Sequence, residues 1–235
     1  MAEPDLRAGY SARQVREAEA PLLEAGVPLM QRAADGLADQ LERMLPEGRT
    51  ARVFLLVGPG NNGGDALFAG ARLAGRGHGV TLFPTSARVH EAGLVAALAA
   101  GAELVPESER TPPVAGARAA TSDIVVDGVL GTGTSASPAL RGAARDVVAA
   151  VREALDAARP RPRVVAVDLP SGVHPDEGSV ADEVVLAADL TVTFGACKAG
   201  LLRPPGAGLA GRVVVVDIGL GPGLAGVEPL LPAPR

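Results

Sequence analysis

One aspartate of the sequence stands where a parallel sheet commonly carries its catalytic groups. Asp168 follows the apolar run 164–167 and precedes the turn-forming sequence Leu-Pro-Ser-Gly. A carboxylate at the carboxyl end of a buried strand is well placed to act as a general acid or base. The same position also suits an aspartate that only caps the next turn, and both interpretations stay open on this segment alone.

A glycine-rich segment follows the first apolar run of the chain. Residues 58–65 are Gly-Pro-Gly-Asn-Asn-Gly-Gly-Asp, in which Gly58, Gly60 and Gly63 match the spacing G-x-G-x-x-G. Glycines there allow an anion to approach backbone N–H groups at the start of a helix. A dinucleotide dehydrogenase also needs an acidic residue about 20 residues further on, and residues 82–86 contain none. The segment therefore favours an anionic ligand over a simple turn, and it disfavours a dehydrogenase.

Two more segments follow apolar runs. Residues 127–137 combine Asp127 with small and hydroxyl-bearing residues, a composition that suits a phosphate or a polyol and equally a flexible loop. Residues 194–200 contain Cys197 and Lys198, which are the only cysteine and the only lysine of the chain. Taken alone, these two are expected to be structural or surface residues.

The composition excludes several classes of protein. The 235 residues are 47% hydrophobic and 21% charged, which predicts one α/β domain with a buried core. Four Phe, one Tyr, no Trp and a net charge of -5 argue against a nucleic-acid partner. One cysteine forms neither an internal disulfide nor a cysteine-based zinc site, and no apolar run approaches the roughly 20 residues of a membrane span. We expect a soluble, cytoplasmic protein without a nucleic-acid or membrane partner.

Apolar periodicity places these segments in an α/β fold. Short buried runs alternate with helical patterns, which predicts right-handed βαβ units and a three-layer αβα Rossmann-like sandwich with a mostly parallel central sheet. Residues 110–120 are predicted to be an irregular connection, and the residues after Gly219 a linker or loose end. The predicted strands are 52–57, 80–83, 103–105, 124–127, 164–167, 190–194 and 213–216. The predicted helices are one after the N-cap Ser11, then 27–45, 65–76, 90–100 and 143–158.

Together, these segments resemble those of the NAD(P)H-hydrate epimerase family in order and spacing. The residues that carry the resemblance are Gly-Asn-Asn-Gly-Gly-Asp at 60–65, Asp127 followed by Gly-Thr-Gly at 131–133, Asp-Leu-Pro-Ser-Gly at 168–172 and Phe-Gly-Ala-Cys-Lys at 194–198. Residues 26–30 also resemble the opening helix of that family. We therefore expect an epimerase-like domain over residues 1–220 and a Gly/Pro-rich C-terminal tail over residues 221–235.

The resemblance implies a Rossmann-like fold, a homodimer and an isomerase that interconverts the R and S forms of hydrated NADH and NADPH. This damaged cofactor, NAD(P)HX, carries a hydroxyl at C6 of its reduced nicotinamide ring. An ADP- or ATP-dependent dehydratase that accepts only the S form is the implied functional partner. The chain stops at Arg235, where the linker to a fused dehydratase domain would begin.

The same resemblance assigns roles to individual residues. Asp168 would be the catalytic residue and would contact the hydrated ring. One potassium ion per subunit would be bound by Asn62, Asp127 and Ser171, whose oxygen atoms suit a hard cation. The substrate would be held by Asn61, Asn62, Gly63, Gly64, Asp65, Gly131, Thr132, Gly133, Thr134, Ser135, Ala136, Ser137 and Asp168.

Several residues depart from the pattern of the family, namely Gln31, Ala66, His174 and the polar segment Thr134-Ser135-Ala136, but none removes a chemical group from the implied site. The alternative is a catalytically silent nucleotide-binding or scaffold module with the same fold. The intact glycine-rich loop and the two aspartates favour the enzyme. On this basis Asp168→Asn is expected to lower the epimerisation rate at least about 100-fold with little effect on the melting temperature, and a side chain at Gly63 to block the ligand without touching the core.

Overall fold

A parallel sheet forms the centre of the protein in a computed structural model that describes residues 8–46, 48–134 and 138–233. Within these residues seven strands pair in the order β3-β2-β1-β4-β5-β6-β7, and every pair is parallel. All seven predicted strands are confirmed, with small differences at their ends. They are β1 (Arg52–Val57), β2 (Gly79–Pro84), β3 (Glu103–Leu104), β4 (Ile124–Gly128), β5 (Arg163–Val167), β6 (Leu190–Phe194) and β7 (Arg212–Val216).

Helices cover both faces of the sheet, which confirms the three-layer αβα sandwich. The first four helices pack in one apolar cluster with one face of the sheet, and the next two pack in a second cluster with the other face. The helices are α1 (Ala12–Glu24), α2 (Leu29–Met44), α3 (Asn61–Gly75), α4 (Glu91–Ala99), α5 (Pro112–Ala120), α6 (Gly142–Ala157), α7 (Gly206–Leu209) and α8 (Gly221–Leu224).

Strand β1 is apolar at successive positions and does not alternate between apolar and polar residues. Successive side chains of a strand point to opposite faces, so Val53 and Leu55 enter the cluster under α1–α4. Phe54 and Leu56 enter the cluster under α5 and α6. Both faces are buried, and both therefore need apolar residues.

Two elements differ from the predictions made for them. Residues 112–120 form helix α5 instead of an irregular connection, because Pro112 lies in the first turn, where its missing N–H costs nothing. Ala115 and Ala119, four residues apart, then pack into the core. Helix α3 begins at Asn61 instead of residue 65, so the polar part of the glycine-rich segment belongs to the first turns of a helix.

The C-terminal residues are packed, so the prediction of a linker or loose end is wrong. The N–H of Gly9 donates to the carbonyl of Leu231 at 2.8 Å, and the N–H of Leu231 donates back at 2.9 Å. Helix α8 lies on α1, where Gly223 comes so close that a Cβ atom would sit 3.1 Å from Cβ of Ala18. The boundary between a domain and a tail at residue 220 stays a prediction.

The strand order places a crevice at the centre of the sheet. The chain runs from β1 to β2 and β3 on one side, and then returns through β4 to β7 on the other. The loops after β1 and β4 therefore diverge, which is where open α/β sheets bind their ligands. Within the described ranges no helix has both the length and the apolar character that crossing a membrane requires.

Candidate active site

A cleft of about 170 Å³ lies between α1, α2, the first turns of α3 and the ends of β5 and β6. One wall is mainly apolar and the other carries polar groups, an arrangement typical of small-ligand sites. The apolar side chains are Val15, Leu23, Leu29, Met30, Ala33, Phe194 and Ile218, and the polar residues are Glu19, Asn61, Asn62, Asp65, Thr132, Asp168 and Lys198.

Asp168 lies in this cleft with its side chain fixed by the neighbouring strand. Its φ of 66° is in the left-handed region, which aspartate visits more readily than most residues and which turns the chain sharply after β5. The register pairs Val167 with Val192, and this places Asp168 beside Thr193. Oγ1 of Thr193 donates to Oδ1 of Asp168 at 2.8 Å.

Lys198 forms a buried ion pair with Asp168, so of the two expectations for it, a structural or a surface residue, the surface position is wrong. Its Nζ lies 2.6 Å from Oδ1 of Asp168, and the side chains are only 3% and 6% exposed. The ammonium also donates to the Phe194 carbonyl at 2.8 Å and to Oγ1 of Thr193 at 3.1 Å. These hydrogen bonds offset part of the cost of removing both charges from water.

The ion pair changes what a substitution at Asp168 must do. Removing one partner of a buried pair leaves the other charge without compensation, at a cost of about 3–5 kcal/mol. We therefore expect Asp168→Asn to lower the melting temperature, in place of the nearly unchanged value expected from the sequence. The only sequence signal for the pair is that the single lysine follows a strand. Cys197, in contrast, is buried with its thiol pKa raised to about 11 by burial, in agreement with a structural role.

Two further carboxyl groups share the cleft with Asp168. Asp65 is 5% exposed. Burial raises its pKa well above the ordinary value, the charge of Asp168 raises it further, and Lys198 lowers it. Burial also raises the pKa of Glu19 on α1, while Lys198 lowers it. Glu19 was not identified from the sequence, since no pattern distinguishes it from the other acidic residues of α1.

The three residues assigned to potassium lie together under the loops after β4 and β5. Asp127 is fully buried, and it accepts hydrogen bonds from Oγ of Ser171 at 2.6 Å and from N–H of Ser171 at 2.9 Å. The N–H of Leu130 donates to Oγ of Ser171 at 2.8 Å. Nδ2 of Asn62 donates to the carbonyls of Leu130 at 3.0 Å and Val167 at 2.6 Å.

The chemistry of this donor set fits a monovalent cation. The Asp127 carboxylate has no cationic side chain beside it among the described residues, and burial raises its pKa although hydrogen bonds from Ser171 lower it. Amide, carboxylate and hydroxyl oxygens are donors that hard cations prefer. The Asn62 side chain packs directly against Gly131, where a Cβ atom would lie 2.2 Å from Oδ1 of Asn62.

Comparisons with known proteins identify the family. The family model described as "YjeF-related protein N-terminus" matches residues 26–200. A protein of Clavibacter michiganensis subsp. michiganensis named NAD(P)H-hydrate epimerase is 50% identical, and the match covers 100% of both chains. Another of Clavibacter sepedonicus, with the same name, is 52% identical over 97% of this chain and 96% of its own. The chain belongs to the NAD(P)H-hydrate epimerase family.

Two other similarities extend this result. A bifunctional NAD(P)H-hydrate repair enzyme of Mycobacterium tuberculosis is 44% identical over 92% of this chain, which corresponds to 42% of that protein. The crystal structure of the yeast protein YNL200c has a TM-score of 0.69 and covers 82% of each chain at 21% identity. The yeast protein shares the fold.

Residues 131–137, in the loop after β4, are expected to bind the substrate of an epimerase of this family, and the structure describes residues 131–134 of them. Residues Thr132–Thr134 form a 3-10 turn, and Thr132 lines the cleft. Nη1 of Arg16 on α1 donates to the Thr132 carbonyl at 3.3 Å, which joins α1 to this loop. Gly133 is exposed. The remaining predicted residues, Ser135, Ala136 and Ser137, lie outside the described part of the chain.

The glycines of the glycine-rich segment 58–65 differ in what a side chain at each position would contact. A Cβ atom at Gly63 would lie 2.1 Å from the Gly58 carbonyl oxygen, and one at Gly64 would lie 3.1 Å from the ring of His90. The expectation that a side chain at Gly63 leaves the core untouched is therefore wrong. Gly60 has nothing within 4 Å of its Cβ position, and as N-cap it supplies no side-chain hydrogen bond to the first N–H groups of α3.

We predict that Gly63→Ala lowers the free energy of unfolding by about 1–3 kcal/mol, because the new methyl group meets a backbone oxygen that is fixed by the strand. Gly60→Asn is the matched control, since its side chain enters open space and asparagine is a preferred N-cap. Chemical denaturation of both variants measures the difference. Equal stability of Gly63→Ala and the wild type would contradict the packing role of Gly63.

Proposed function

We propose that the chain is an NAD(P)H-hydrate epimerase, which interconverts the R and S configurations at C6 of the hydrated nicotinamide ring. The observation that carries this proposal is the Asp168 carboxylate, which lies in a cleft with an apolar wall and is held by Lys198 and Thr193. Two relatives with that name match essentially the whole chain, and this supports the assignment over a catalytically silent module.

Asp168 supplies the proton transfer that inversion at C6 requires. Changing the configuration breaks a bond from C6 to oxygen or to the ring nitrogen, and the same kind of bond then forms again on the other face. Either route moves a proton on or off the oxygen at C6. A positioned carboxylate contributes about 10²- to 10⁴-fold to such a step. Lys198 and Thr193 hold the carboxylate in place without filling the cleft.

We place the nicotinamide ring against the apolar wall and the phosphates at the start of α3. The open space at Gly60 leaves room for an anion. The N–H groups and the dipole at a helix start attract negative charge. The loops after β1 and β4 diverge at this point, so a dinucleotide reaches from the helix start to Asp168 along the crevice.

Asn62, Asp127 and Ser171 would hold one potassium ion in the proposed enzyme. When bound, the ion supplies a positive charge that balances the buried Asp127 carboxylate. The residues themselves connect the ion to the substrate site, because Asn62 belongs to the first turn of α3 and Ser171 follows Asp168 in the same turn-forming segment.

We propose a cytoplasmic homodimer that acts on hydrated NADH and NADPH and passes the S form to an ADP- or ATP-dependent dehydratase. The name of the bifunctional relative from Mycobacterium tuberculosis supports a link to a second repair activity.

The test of the proposed function is R/S exchange on hydrated NADH, followed by chromatography or proton NMR. We predict that Asp168→Asn lowers the exchange rate at least about 100-fold. The free energy of unfolding falls as well, by about 3–5 kcal/mol, because Lys198 keeps a buried charge without a partner.

The double variant Asp168→Asn with Lys198→Met separates the two effects. It removes both charges, so we expect it to recover most of the stability and none of the activity. Near-normal exchange by either variant would contradict the role of Asp168. Absence of exchange by the wild-type chain would contradict the proposed function itself.

We predict that potassium stabilises the folded chain. An ion that binds only the folded state at ten times its Kd adds about 1.4 kcal/mol, so KCl should raise the Tm above that in choline chloride at equal ionic strength. Asp127→Asn should lose this difference. Asp123→Asn, at the other end of the same strand and paired with Arg49, should keep it. A potassium response in Asp127→Asn equal to that of the wild type would contradict the site.

We predict that Gly60→Asp weakens binding of NADP, used as a substrate mimic, by about tenfold or more, because a carboxylate at the start of α3 repels the phosphates. Gly60→Asn is the control, since both side chains are good N-caps and only one is charged. Calorimetry measures both affinities. Equal affinities for the two variants would place the phosphates elsewhere.

A further inference from the structure

We propose that Asp65 is a second proton-transfer residue of the cleft, which protonates the hydroxyl that leaves C6 while Asp168 deprotonates the water that adds. This inference rests on the proposed epimerase function and goes beyond it, because it gives the two carboxyl groups opposite tasks. The family resemblance assigns Asp65 only to substrate binding.

The first observation is that Asp65 is buried without a partner. It is 5% exposed and lines the cleft, yet within the described residues its carboxyl group takes part in no hydrogen bond or ion pair. The other buried carboxylates differ, since Asp127 accepts from Ser171 and Val129 and Asp168 accepts from Thr193 and Lys198. The Asp65 oxygens are not among the fully buried unpaired atoms, so the carboxyl group opens into the cleft, where a ligand can contact it.

The second observation is the arrangement of charge around Asp65. Lys198 is already bound to Asp168 and the Phe194 carbonyl, while Asp168 and Glu19 both add negative charge. Burial raises the pKa of Asp65 most and the Asp168 carboxylate raises it next, Lys198 then lowers it, and Glu19 adds the smallest increase.

Charged and titratable side chains on the other elements that pack against α3 form hydrogen bonds or ion pairs with groups other than Asp65. Nη1 of Arg32 on α2 donates to the Ile218 carbonyl. Nδ1 of His90, at the start of α4, accepts from the Gly93 N–H.

At the far end of α3, Arg72 pairs with Asp35 and Asp39 of α2, and Arg76 pairs with Glu42. Asp127 of β4 is bonded to Ser171.

Among the described residues, Asp168 is paired with a cation and Asp65 is not. Two carboxyl groups whose surroundings differ in this way form a base and acid pair. In the proposed step the carboxylic acid of Asp65 gives its proton to the C6 hydroxyl, the C6–O bond breaks, and the lone pair of the ring nitrogen forms a double bond to C6. The products of this step are water, a cationic ring and the Asp65 carboxylate.

A water molecule then completes the inversion. Its oxygen bonds to C6 on the opposite face, the electron pair of the C6–N bond returns to nitrogen, and the released proton goes to the Asp168 carboxylate. Exchange with solvent resets both carboxyl groups, and the reverse reaction uses them in the opposite order. The sequence of steps is redox-neutral and needs no co-reactant besides water.

The first test compares Asp65→Asn with the wild type in R/S exchange of hydrated NADH. We expect a loss of at least about 100-fold without a loss of stability, because the carboxyl group has no partner to leave behind. The wild-type rate should fall at high pH, as Asp65 loses its proton, and the residual rate of Asp65→Asn should lack this fall. A rate near that of the wild type, with the same pH profile, would overturn the inference.

Glu19→Gln is the second test, and it does not depend on the folding of the first variant. Removing the negative charge of Glu19 lowers the pKa of Asp65, so the fall in rate at high pH should move to lower pH. A profile that does not move would count against the proposal.

Oxygen exchange tests the step itself. In water enriched in oxygen-18, each inversion should place one labelled oxygen at C6, and inversion with the original oxygen retained would overturn the proposed sequence. These outcomes are separate from a failure of the proposed function, which would show as no exchange by the wild-type chain.

Discussion

The ion pair between Asp168 and Lys198 determines the electrostatics of the whole cleft. Both side chains are almost completely buried, with Lys198 3% and Asp168 6% exposed, and their charged atoms are 2.6 Å apart. Such a pair is stable only where further hydrogen bonds replace the lost water, and Thr193 and the Phe194 carbonyl supply them. Burial raises the pKa of Asp65 and of Glu19, the charge of Asp168 raises both further, and the charge of Lys198 lowers both.

The parallel sheet makes this ion pair possible. Neighbouring strands lie about 4.8 Å apart, and the register of β5 and β6 brings Asp168 next to Thr193. The left-handed backbone of Asp168 costs about 1 kcal/mol and ends the strand, so that Leu169 and the following residues leave the sheet. The segment after β6 then returns Lys198 to the same point.

Two kinds of buried polar group serve different purposes in this protein. The group formed by Asn62, Asp127 and Ser171 is joined by hydrogen bonds to Leu130, and it fixes the loops after β4 and β5. Asp65 lies at the edge of the cleft without such bonds. A fully bonded network gives rigidity, whereas an unpaired carboxyl group keeps its proton available for chemistry.

The sequence by itself determined the positions of the strands along the chain, the three layers and the aspartates at the ends of β4 and β5, because apolar runs and turn residues are local signals. The order of the strands within the sheet came from the structure. Helix α5 was predicted as an irregular connection because its Ala-rich sequence has little contrast in polarity between its two faces. Burial of Lys198, the role of Glu19 and the packing of Gly63 against Gly58 were decided by the tertiary structure alone. Each depends on a neighbour that another element supplies, and a residue type does not reveal which charge or backbone atom the fold will place beside it.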